Sequence, residues 1–129
     1  MSIFRRLVLG FVFLWFFIGG FGHFIATESF AGIIPPLFPA HRLLVLISGV
    51  CELLGAAGIL LPRTRGTAGW GLVLLTIAVT PANVFMWQHA ADYPVPYWAL
   101  TLRLPFQAVL LLGIWWSTRP ARQVLPERG

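Results

Sequence analysis

From its amino end the chain alternates four long apolar runs with short breaks. The runs cover about residues 3–26, 42–61, 67–89 and 97–117. Each is close to the roughly 20 residues that an α-helix needs to cross about 30 Å of hydrocarbon. The pattern predicts an all-α fold, a transmembrane four-helix bundle in antiparallel up-down order, with one domain over residues 1–129. Arg5 and Arg6 ahead of the first run resemble a signal peptide. The run is too long for a signal core and leads to no small-x-small site before a polar chain, so a retained helix is expected.

The breaks differ in kind. "PRTRG" (62–66) is tight enough to make the second and third helices antiparallel neighbours. "AGIIPPLFPAH" (31–41) holds three prolines that bar a regular helix, yet Ile33, Ile34, Leu37 and Phe38 are apolar. Such a loop is expected to lie in the interface or to fold over the mouth of the bundle, with Ile34, Pro35, Pro36 and Phe38 as its lid residues.

Small and polar residues mark the inner faces, because a lipid-facing surface needs only to be apolar. At about 100° per residue, Ser48, Cys51, Glu52, Gly55 and Gly58 share one face of the second helix. Gly19, Gly20, His23 and Thr27 align on the first helix, and Thr76, Thr80, Asn83 and Trp87 on the third. Arg103, Phe106, Gln107, Leu110, Gly113 and Ser117 align on the fourth. Glu52 stands roughly 14 Å below the outer end of its helix, and Arg103 about one turn above Gln107. An ion pair between Glu52 and Arg103 is therefore expected, with Asn83, Gln107 and Ser48 satisfying the remaining donors and acceptors.

Composition agrees with a bilayer as solvent: hydrophobic residues make up 58% and charged residues 10%, far below the usual quarter. All nine basic residues are arginines, clustered at segment ends rather than spread over a polar face, which argues against nucleic acid as a partner. Seven of them fall to one side (Arg5, Arg6, Arg63, Arg65, Arg119, Arg122 and Arg128) and only Arg42 to the other. The positive-inside rule then puts both termini in the cytoplasm. One cysteine excludes an internal disulfide and a cysteine zinc site, and Cys51 is expected to be a small buried packing residue. His41 and His89 stand at outer helix ends and no inward histidine pair is visible, so no metal or haem is expected.

Two readings of the polar constellation stand side by side. In one, His23, Ser48, Glu52, Asn83, Arg103 and Gln107 line a pocket for a small ligand such as a quinone head group. In the other they only fix helix register, as interhelical polar contacts commonly do. A proton path or small-solute carrier is a third, weakened by the lack of a second acid toward the inner side.

Taken together, "GHF", "IIPPLFPAH", "SGVCELLGAAGILLPRTRGTAGWGL", "TPANVFMW" and "RLPFQ" resemble the DoxX-like family of small membrane proteins, in order and spacing over nearly the whole chain. His23, Glu52, Asn83, Arg103, Gln107, Pro35 and Pro36 match the family pattern. The resemblance implies a four-helix bundle beside redox chemistry. Members include a membrane subunit of a thiosulfate:quinone oxidoreductase and proteins of thiol-stress or superoxide-handling complexes, while animal relatives are assembly chaperones for receptors. What it implies here is an accessory subunit of a quinone-linked system in a bacterial cytoplasmic (inner) membrane, without stand-alone catalysis. Quinone is the cofactor it allows and a redox protein the partner, while the small residues of the first two helices allow a second copy of the chain. The alternative is a structural or assembly protein without ligand.

Overall fold

The computed structural model describes residues 2–119, so Arg122 and Arg128 of the basic tail lie outside the described residues. Helices α1 (Ile3–Ile25), α3 (His41–Leu60), α4 (Arg65–Gln88) and α5 (Tyr97–Thr118) are the long ones. A single-turn helix, α2 (Thr27–Ala31), and a 3-10 turn at Ala90–Asp92 lie in the connections. All four long helices are long and apolar enough to cross a membrane, and no strand occurs among the described residues. The architecture is all-helical and compatible with a four-helix bundle.

Local chemistry sets the helix ends. The Ser2 hydroxyl accepts from the Arg5 amide at 3.2 Å and caps α1. At the other end of α1 the Thr27 hydroxyl donates back to the His23 carbonyl at 2.7 Å, where the backbone breaks at Ala26. Pro39 and Ala40, whose φ is 50°, turn the chain into α3. The turn after α3 caps its carbonyls: Thr64 donates to Gly58 at 2.6 Å and Arg65 Nε to Ile59 at 2.7 Å. Of the two long connections, one ties to the other through Tyr93, whose hydroxyl donates to the Gly32 carbonyl at 2.9 Å. Burial, and then Asp92 beside it, pushes the Tyr93 hydroxyl above the ordinary tyrosine range, so it stays a donor.

Helix α1 packs on α3 and α5, and α4 packs on the same two, so the long helices close a ring of neighbours. Gly20 lies against Gly49 and Leu53, and Gly58 against Ala68. Gln107 bonds the Thr76 carbonyl, and Phe4 faces Trp116 with ring centroids 5.6 Å apart. Leu9, Val12, Phe16, Ala56, Ile59, Leu72, Leu110 and Ile114 form one buried cluster drawn from all four long helices. Of the buried polar residues, His23 lies toward the end of α1 away from Arg5, Glu52, Thr76 and Gln107 near the middle of their helices, and Ser117 and Thr118 beside Arg119. The outside is apolar too: Ile18, Leu54, Leu74 and Val109, one from each long helix, are 66%, 67%, 67% and 62% exposed. Water would solvate such a surface poorly, and hydrocarbon would solvate it well. The chain is an integral membrane protein in this reading.

Candidate functional site

Three glycines make the site possible. Gly20 and Gly49 let α1 and α3 cross with almost no space between backbones: a Cβ on Gly49 would stand 2.7 Å from His23 Cβ and 3.2 Å from the Gly20 carbonyl. Gly19 leaves room for the acid, since a Cβ there would lie 3.3 Å from Glu52 Oε2. The crossing brings His23 Nε2 to 3.3 Å from Glu52 Oε2, with both side chains buried. The other ring nitrogen, Nδ1, stands 2.8 Å from the Val45 carbonyl. A carbonyl only accepts, so Nδ1 carries hydrogen. Nε2 is the ring nitrogen that faces Oε2. Their approach is close but badly aligned, and Glu52 Oε2 is buried without a hydrogen-bond partner.

This pair opens on a cavity of about 120 Å³ lined by Ser48, Asn83 and Arg103, and by Val45, Val79 and Ala82. Phe30, Ile33 and Ile34 close it. Phe30 stacks on the His23 ring with centroids 4.5 Å apart and planes 25° apart. Asn83 Nδ2, like Glu52 Oε2, is buried without a hydrogen-bond partner. Larger grooves of about 540 and 490 Å³ run along apolar seams and hold none of these polar groups.

The structure therefore brings together five of the six expected pocket residues, His23, Ser48, Glu52, Asn83 and Arg103. Gln107 stands behind them. Its Nε2 donates to the Thr76 carbonyl at 3.0 Å, and its Oε1 accepts from Arg103 Nη1. Of the lid residues, Ile34 lines the cavity; Pro35 is half-buried beside it, and Pro36 and Phe38 are exposed.

Two expectations are corrected. Glu52 lies beyond ion-pair distance of Arg103: among the described residues the contacts of a basic nitrogen with a carboxylate oxygen within 4.0 Å are His23–Glu52 and Arg42–Glu28. Arg103 is held away by Gln107 on its own helix and by two aromatic faces, its guanidinium carbon lying 5.1 Å from the Trp15 centroid and 5.4 Å from that of Phe106. Cys51 is exposed rather than buried, and lies in the outward groove between α3 and α4. The helix rotates so that Gly49, Glu52, Ala56 and Ile59 form its buried line, which leaves Cys51 one position off. Phe30 was not among the expected lid residues. The signal was an aromatic side chain seven residues after a histidine, on a stretch free of proline.

A family model described as a domain of unknown function, DUF8561, matches residues 12–118. No curated protein and no solved structure matches the chain.

Proposed function

We propose, for a chain that belongs to the DUF8561 family, a role as an integral membrane accessory subunit whose buried polar cavity binds the head group of a quinone for a redox partner. One observation carries this reading. Two buried polar atoms without partners, the acceptor Glu52 Oε2 and the donor Asn83 Nδ2, belong to residues lining one cavity. Each unsatisfied group costs about 1–3 kcal/mol, which a matching ligand would recover. A quinone carbonyl would accept from Asn83, and a quinol hydroxyl would donate to Glu52. A histidine beside a carboxyl group suits a ligand that changes protonation with redox state. A volume of about 120 Å³ corresponds to about four waters or a single small ring.

The resemblance to DoxX-like proteins supports the same reading, as it supports a bacterial cytoplasmic membrane. An up-down antiparallel bundle is supported by the helix contacts, in which residue numbers fall along one helix as they rise along its neighbour. Both termini are assigned to the cytoplasm by the arginine distribution.

The test is titration of the purified full-length protein with a short-chain quinone, read by quenching of Trp15 fluorescence. Glu52→Gln and Arg103→Ala are expected to weaken binding at least tenfold while leaving the protein inserted and monodisperse. Unchanged binding in both variants would sink the proposal.

A second reading, a structural or assembly protein without ligand, is favoured by the bonds from His23 to Val45 and from Gln107 to Thr76, which join helices whatever the cavity holds. It predicts that a His23→Leu/Glu52→Leu double variant keeps both stability and biological function. A stable but inactive double variant excludes it.

A further inference from the structure

One wide groove has no part in the polar cavity. It runs between α1 and α5, holds about 540 Å³, and is apolar along its length, with Leu7, Phe11, Val109 and Gly113 in its walls and Phe4 and Trp116 at one end. From Phe106 to Trp116 it follows ten residues of helix, about 15 Å, which is half of a roughly 30 Å hydrocarbon layer. One leaflet's depth is the run of one acyl chain. Gly113 keeps the seam open, since a Cβ there would meet only Val8 Cγ1, at 3.7 Å.

The chemistry changes at the Phe4–Trp116 end. Arg5 is half-buried there; its Nη2 donates to the Arg119 carbonyl, and its Nε is buried without a hydrogen-bond partner. Arg6 and Arg119 are exposed nearby, the latter with its guanidinium carbon 5.0 Å from the Trp115 ring centroid. No described carboxylate answers them: Glu28 pairs with Arg42, Glu52 with His23, and Asp92 lies in the connection between α4 and α5.

We propose that this groove seats one anionic phospholipid, with an acyl chain along α1 and α5 and its phosphate against Arg5, Arg6 and Arg119. Arginines that no described carboxylate answers, beside an apolar seam, favour a net negative head group over a zwitterionic one. They also disfavour a second copy of this chain as the occupant, because a two-fold pair on this face would bring two arginine clusters together.

Native mass spectrometry of the purified full chain, taken from micelles doped with equal phosphatidylglycerol and phosphatidylcholine of the same acyl chains, tests this. Wild type is expected to retain phosphatidylglycerol about fivefold or more over phosphatidylcholine, and salt should erase that preference. Arg5→Gln should lower the preference about fivefold without changing phosphatidylcholine retention. Gly113→Leu, which fills the groove, should lower retention of both lipids, with elution as a single sharp peak showing that the variant is folded. Equal retention of the two lipids by wild type overturns the proposal, and so does a wild-type dimer carrying no lipid. Neither result bears on the quinone titration, which concerns the other half of the molecule.

Discussion

At the scale of single residues, closeness between two helices rests on hydrogen atoms where side chains would otherwise stand. Gly49, at the crossing of α1 and α3, is such a case, with 2.7 Å available to His23 Cβ and 3.0 Å to the Phe24 ring. Gly49→Ala must push α1 from α3, which is expected to cost about 1–3 kcal/mol and to part His23 from Glu52. Gly10→Ala is the control, because nothing lies within 4 Å of its added carbon. Thermal unfolding in detergent should show Gly49→Ala melting earlier and Gly10→Ala unchanged or later. An unaltered melt for Gly49→Ala would mean that the crossing is not tight. The same glycines explain what was readable in the sequence. Small residues beside Glu52 pointed to an inward face, which the structure turns by one position to Gly49, Glu52 and Ala56, and Asn83 and Arg103 line the same cavity as Glu52. Depth alone does not say which way a long guanidinium leans. Trp15 and Gln107 decide that, and they turn Arg103 away from the acid that His23 takes.

At the scale of elements, α4 and α5 are joined by a polar relay rather than by fit alone. Gln107 donates to Thr76 on α4 and accepts from Arg103 one turn earlier on α5. Gln107→Leu leaves a half-buried guanidinium without its acceptor, and is expected to cost about 1–3 kcal/mol. Replacing both residues by leucine removes the orphan, so the double variant should lose less than the sum of the singles, with a coupling of about 0.5–3 kcal/mol. Melting curves for the four proteins measure it, and strict additivity would show that the two side chains act separately. The long helices themselves were legible to within two residues, because apolar runs and proline breaks are local features. The single-turn helix α2 was not, since five residues carry too little periodicity to separate a helix from a loop. Its consequence is large for its size: it sets Phe30 on His23 and so decides what closes the cavity.

At the scale of the whole molecule, charge is distributed by end. Five described arginines, Arg5, Arg6, Arg63, Arg65 and Arg119, stand at the end where α1 begins and α5 finishes. The opposite end holds Arg42, already paired with Glu28 at 3.2 Å, together with Asp92. Short loops rich in arginine resist translocation, and acidic residues contribute little to orientation, so five against one supports the proposed cytoplasmic placement of both termini. The orientation is measurable with thiols, because the natural one, Cys51, is a single free and exposed cysteine that is readily replaced. In a Cys51→Ala background, Ala91→Cys and Thr67→Cys place exposed thiols at the two ends without touching an arginine. A membrane-impermeant maleimide is expected to label Ala91→Cys in intact spheroplasts and Thr67→Cys only once the bilayer is opened. The reverse pattern would invert the molecule, placing the polar cavity toward the cytoplasm and the arginine-flanked groove in the outer leaflet.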